Sequence, residues 1–137
     1  MLRILLKRFI ILCTRIAREK FSVSPEREKA FDMVRQFYVL VDNHFKEKKM
    51  VQDYADMLHR SPKTLSNLFT TCGLPSPLRI IHERIEAEAK RLLLYSQKSA
   101  KEITEILGFE DQATFSRFFK KMTGESVSEY RKREKRE

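Results

Sequence analysis

At 137 residues, with 42% hydrophobic residues, 3 Gly and 4 Pro, the chain has the size of one compact domain or two small lobes, and it has almost no alternating apolar pattern, so it reads as all-α. Its formal net charge of +9 is uneven: residues 1–20 carry six Lys/Arg against one Glu, and residues 111–137 carry eight against five acidic residues, leaving little in between. A polyanionic partner fits that balance, whereas catalysis has little to stand on. There is no Gly-rich phosphate loop and no His-Glu-x-x-His, and His44, His59 and His82 are scattered without a nucleophile beside them. Cys13 and Cys72 have no metal-ligand spacing, which points to a reducing, cytoplasmic compartment and to no metal or cofactor.

Residues 1–22 form the first segment. Leu2, Leu5, Phe9, Leu12 and Ile16 fit the a/d seam of an amphipathic helix, thickened by Leu6 and Cys13. Lys7 and Arg8 interrupt the apolar run and no small-residue cleavage site follows, so a signal peptide is not expected. The stretch is also too short and too charged to span a bilayer. Three readings stay open: self-association as a homodimer, adsorption to a membrane surface, and packing on a further domain. Phe21 to Pro25 is a loop in which Ser24 caps a helix and Pro25 begins it. That helix is expected to run to about Lys48, burying Phe31, Val34, Phe37 or Tyr38, Val41 and Phe45.

Residues 23–76 make a first unit. Val51 to Leu58 is a short supporting helix with Val51, Ala55 and Leu58 facing inward, and His59-Arg60 make a turn. Ser61 caps a second helix and Pro62 starts it. Leu65, Leu68, Phe69 and Cys72 form its apolar stripe, and Gly73 closes it in the left-handed conformation. The opposite side carries Lys63, Ser66, Asn67 and Thr70, with Thr64 near the start. An asparagine can pair bidentately with adenine and a lysine can reach guanine acceptors or a phosphate; plain solvated positions are the alternative. Residues 77–97 form a connecting helix from Pro77 to about Tyr95, capped by Ser76, with Leu78, Ile81, Ile85 and Leu92 as its core stripe. Nineteen helical residues span roughly 28 Å, close to the ~34 Å between successive major-groove faces of B-DNA. His82, Glu83, Glu86 and Glu88 look like an acid/base cluster, but Arg79, Arg84, Lys90 and Arg91 interleave with them, so a salt-bridged exposed face is expected.

Residues 98–137 repeat the first unit. Ser99-Ala100-Lys101-Glu102 is a capping box, and Ser99 is a candidate for backbone anchoring of a phosphate. Ile103 to Leu107 is a short helix, Gly108 a turn, and a second helix starts at Asp111. Phe115, Phe118, Phe119 and Met122 make its apolar stripe; Ala113, Arg117 and Lys120 lie opposite, with Ser116 flanking and Gln112 at the start. A shift of fifty residues carries this stripe onto Leu65, Leu68, Phe69 and Cys72, and each helix is followed by a glycine, Gly73 or Gly124. Two helix-turn-helix units in tandem account for this. Ser126-Val127-Ser128-Glu129 begins a last helix with Tyr130 inward, and Lys121, Arg131, Lys132 and Arg133 are candidate phosphate contacts.

The run from Ile103 to Arg131 resembles the second helix-turn-helix of the AraC/XylS family of bacterial transcription regulators: Ile-x-x-Ile, Gly108-Phe109, then Phe115-x-Arg117-x-Phe119-Lys120, then a glycine and Tyr130-Arg131. The similarity extends over about Val51 to Arg133. Two positions depart from the pattern. Thr104 stands where a small alanine is usual and is expected to loosen the second unit; Val127 stands where proline is usual and removes a helix-start signal. The resemblance implies an all-α pair of subdomains that inserts two recognition helices into adjacent major grooves of double-stranded DNA. It also implies RNA polymerase as a second partner, and no enzymatic activity. Many members carry an effector-binding and dimerisation domain ending in a helix like residues 1–22, which favours partner-helix packing for that seam. The rival reading is a non-DNA adaptor or membrane-surface protein that uses the seam alone.

Overall fold

A computed structural model describes residues 3, 6, 7, 9–11 and 24–135. Within 24–135 there are seven helices and no strand: α1 (Pro25–His44), α2 (Val51–Met57), α3 (Pro62–Thr71), α4 (Pro77–Tyr95), α5 (Ala100–Ile106), α6 (Gln112–Thr123) and α7 (Val127–Lys135). The described residues divide into two compact units, one containing 24–44 and 50–81, the other 45–49 and 82–135.

The first unit is built on α1, α2, α3 and the first turn of α4. Its centre is aromatic. Phe37 meets Phe69 edge-on, ring centroids 4.9 Å apart, and Tyr54 at 5.4 Å, while Tyr38 stacks on Phe69. Such pairs add about 0.5–1.5 kcal/mol each beyond area burial. Tyr54 is fully buried beside Ala55, a contribution from α2 that the inward-facing Val51, Ala55 and Leu58 did not anticipate. Phe31 is only half-buried. Arg3, Leu6, Lys7 and Ile10 line a shallow pocket with Tyr38, Val39, Asp42 and Asn43, and Arg3 pairs with Asp42 at 2.5 Å.

Two expectations are corrected in α1 and α4. Helix α1 stops at His44, not near Lys48, because Phe45 turns away to be buried in the second unit. In α4, Leu78 is 44% exposed, and the core stripe runs instead through Ile80, Ile81, Ile85, Ala89, Leu92 and Leu93. Leu78 stands three residues before Ile81 and so fits the helical spacing, but Pro77, four residues before Ile81, is the buried position of this first turn.

The second unit packs α5, α6 and α7 against the remainder of α4. Phe119 meets Tyr130 of α7 at 5.4 Å, and Phe109 from the turn meets Phe115 at 5.3 Å. Thr104 is 3% exposed, and its hydroxyl donates to the Ala100 carbonyl at 2.7 Å. Its polar group is therefore satisfied within α5. Val127 is buried at the start of α7, where Ser126 Oγ accepts from the Glu129 N–H in proline's absence. The acidic stretch of α4 is not an exposed face throughout. Glu88 is 8% exposed, bonded to Arg91 Nε at 3.2 Å, with Arg84 at 3.6 Å. The Arg91 bond is the chief cause that holds its carboxyl below the usual range. The Arg84 guanidinium also lies 4.2 Å from the centre of the Phe45 ring, so residues 45–49 are tied into this unit by a cation–π contact.

Candidate nucleic-acid interface

In each unit a short helix, a tight turn and a longer helix follow one another, and the turns share a bonding pattern. His59 N–H donates to Asp56 O and Arg60 N–H to Ala55 O; Gly108 N–H donates to Glu105 O and Phe109 N–H to Thr104 O. Both turns pass through a left-handed residue, His59 at φ 55° and Gly108 at φ 76°. At Gly108 a Cβ would lie 1.9 Å from the Lys46 carbonyl oxygen, so glycine is required there twice over.

Helix α3 is anchored by Leu65 and Phe69, both fully buried. The five residues expected to face a ligand, Lys63, Thr64, Ser66, Asn67 and Thr70, are all exposed. Ser61 caps the helix by accepting from the Thr64 N–H at 3.1 Å, and its hydroxyl also bonds the Thr64 hydroxyl at 2.9 Å. Thr70 donates its hydroxyl proton back to the Ser66 carbonyl, leaving an acceptor and a methyl group for any outside partner.

Helix α6 has the same design. Phe115 and Phe119 are fully buried, Phe118 and Met122 partly so. His82 of α4 packs edge-on against Phe118, centroids 5.2 Å apart, and so backs the helix from inside the unit. Gln112, Ala113, Arg117, Lys120 and Lys121 are exposed, and Ser116 is half-buried at the margin. Asp111 caps the helix, accepting from the Thr114 N–H at 2.7 Å, and the Arg117 guanidinium reaches the Thr114 hydroxyl at 3.4 Å. Those bonds to Thr114, with the nearby Arg117 charge, hold the Asp111 carboxyl below its ordinary range. Neither Asp111 nor Thr114 stood among the expected site residues, although their spacing of three from each other and from Arg117 was visible.

The other expected contacts have more varied surroundings. Ser99 caps α5 through a full box: its hydroxyl accepts from the Glu102 N–H at 3.2 Å, and its own N–H donates to the Glu102 carboxylate at 3.3 Å. Arg131 donates to the Leu93 carbonyl at 3.2 Å and the Ser96 carbonyl at 3.3 Å, pinning α7 to the end of α4 and leaving fewer donors for a phosphate. Lys132 is exposed. Of the N-terminal seam, Leu2, Leu5, Leu12 and Ile16 lie outside the described residues; Phe9 is 49% exposed, and Ile10 beside it is buried. Among the described residues no group of His, Cys, Asp or Glu is arranged to hold a metal ion, and no helix is long and apolar enough to cross a membrane.

Comparison with known proteins agrees with this geometry. A family profile described as a helix-turn-helix domain matches residues 54–133. The uncharacterized HTH-type transcriptional regulator YisR of Bacillus subtilis is 30% identical over 122 residues, which are 88% of this chain and 41% of that protein. The arabinose operon regulatory protein of Salmonella typhimurium is 36% identical over 92 residues, 67% of this chain and 31% of that one. Among solved structures, the C-terminal domain of AraT, a response regulator from Geobacillus stearothermophilus, superposes with a TM-score of 0.66 at 29% identity, covering 73% of this chain and 84% of that domain. The chain thus spans less than half the length of these curated relatives.

Proposed function

Since this chain belongs to the AraC/XylS family of helix-turn-helix proteins, we propose that it is a sequence-specific, double-stranded DNA-binding regulator of transcription that inserts α3 and α6 into adjacent major grooves. The observation that carries this reading is made twice, once per unit: a helix anchored by two fully buried side chains, Leu65 and Phe69 or Phe115 and Phe119, leaves amide, hydroxyl and cationic side chains exposed on its other side, Ser116 half-buried at the margin. Such a helix can meet base edges while its scaffold stays dry. Asn67 is assigned to adenine and Arg117 to guanine, with Lys63, Lys120, Lys121 and Lys132 on phosphates. Thr64, Ser66, Thr70, Gln112, Ala113 and Ser116 complete the two reading faces. RNA polymerase as a second partner rests on family membership. Homodimerisation would use the N-terminal seam around Phe9. A binding role with no chemical step needs no cofactor, and a DNA-bound regulator works in the cytoplasm.

Selection of random duplexes by the purified chain, sequenced at moderate salt, tests the reading. Two enriched blocks about one helical turn apart are expected, with affinity that falls steeply as salt rises through counterion release. No enrichment, together with salt-insensitive self-association, would return the chain to the adaptor reading. On the selected site, Arg117→Ala is expected to cost ~1–3 kcal/mol; an equal loss on random DNA would make Arg117 a phosphate contact.

A further inference from the structure

We infer that Thr114 is a positioning residue, whose backbone N–H is held by the Asp111 carboxylate and whose hydroxyl fixes the Arg117 guanidinium for reading one base pair; this rests on the base-reading role given to Arg117 above. The hydrogen-bond chemistry allows one polarity only. An ionised carboxylate accepts and cannot donate, and a hydroxyl has one proton and two lone pairs. Asp111 accepts the backbone N–H of Thr114 at 2.7 Å, and the Thr114 side chain helps to hold its carboxyl low. The Thr114 hydroxyl oxygen accepts from the Arg117 guanidinium at 3.4 Å, since a guanidinium can only donate. A guanidinium carries five N–H groups in a fixed plane, so one bond to Thr114 leaves enough for a bidentate approach to guanine. Ordering this rotamer-rich side chain before DNA arrives removes part of the entropic cost of binding.

The same three positions recur in the first unit. Ser61, Thr64 and Asn67 stand fifty residues before Asp111, Thr114 and Arg117, with Ser61 again accepting from the Thr64 N–H and here also bonded to its hydroxyl. The caps differ in charge as the readers do: neutral serine with neutral asparagine, anionic aspartate with cationic arginine. A carboxylate beside Arg117 offsets its long-range attraction to phosphates, while short-range N–H geometry toward a base edge is kept. Asp111 therefore favours base reading over backbone binding.

The test uses the full chain on its selected duplex and on duplexes with each guanine pair of the α6 block replaced in turn. Thr114→Val keeps the shape and removes the hydroxyl; it is expected to reduce discrimination at one pair about tenfold, with thermal unfolding and binding to random DNA unchanged. Thr114→Ser should restore the discrimination. Asp111→Ser, which retains a cap, should lower discrimination at the same pair and raise affinity for random DNA; it also keeps the question answerable if Thr114→Val does not fold. If Arg117→Ala abolishes the preference but both Thr114→Val and Asp111→Ser leave it intact, positioning is overturned and base reading stands. If Arg117→Ala itself leaves the preference unchanged, the premise fails. Equal losses on all duplexes for Thr114→Val would make Thr114 a backbone contact and overturn the inference.

Discussion

Gly108 and His59 hold the same place in the two turns, and their different side chains lead to opposite expectations. At Gly108 any Cβ meets both an unfavourable φ and the Lys46 carbonyl, a backbone atom that cannot swing aside. Gly108→Ala should therefore destabilise the second unit by more than about 2 kcal/mol. At His59 a side chain already bears the left-handed backbone, so His59→Gly should stabilise the first unit by about 0.5–1 kcal/mol, relief of strain outweighing the added chain entropy. Denaturant titration of each variant checks both signs. His82 supplies a pH dependence. Burial, reinforced by the Lys121 charge, pushes its imidazole below the ordinary 6.5. The unfolded chain then binds the proton more readily, so this contribution is complete above about pH 6.5 and declines as the pH falls toward the folded value. Melting curves from pH 7.5 to 5 should show the loss, and His82→Gln should flatten it.

At the scale of elements, α7 is held by a side chain rather than by apolar area alone. Arg131→Ala removes two charge-assisted bonds to the carbonyls of Leu93 and Ser96 and should cost the second unit about 2 kcal/mol. DNA affinity measured well below the melting temperature should change less than stability does; an affinity loss with no change in melting would give Arg131 a direct contact. Helix starts were legible in the sequence because cap chemistry is local: Ser61 and Ser99 cap their helices as read, and Asp111, read as the start of its helix, caps it. The all-α class and the buried pairs Leu65/Phe69 and Phe115/Phe119 followed from 3.6-residue periodicity. What periodicity could not reveal depends on distant partners. Leu78 lies off the buried stripe, Glu88 is buried because Arg84 and Arg91 accompany it, and Arg131 is committed to carbonyls about 35 residues away. In the candidate site, the exposed sides of α3 and α6 were legible apart from half-buried Ser116, whereas the bond from Arg117 to Thr114 needs side-chain geometry.

Across the whole molecule, chain order and packing order diverge. Phe45 directly follows α1 of the first unit, yet it is buried in the second, under the Arg84 guanidinium. Phe45→Ala should destabilise the second unit by about 3 kcal/mol while leaving the first intact. Amide exchange should quicken in α5, α6 and α7 and stay slow in α2 and α3; uniform quickening would mean that the two units unfold as one. The Lys46 carbonyl against Gly108 extends the same theme. These groups lie about sixty residues apart along the chain, a separation whose loop-closure entropy must be met before the contact helps. As the ribosome releases the chain, residues 45–49 emerge with the first unit and wait, unburied, until most of the second has been made. The later unit is thus completed by a segment synthesised before any of its helices, and its folding rate should carry the signature of that long closure.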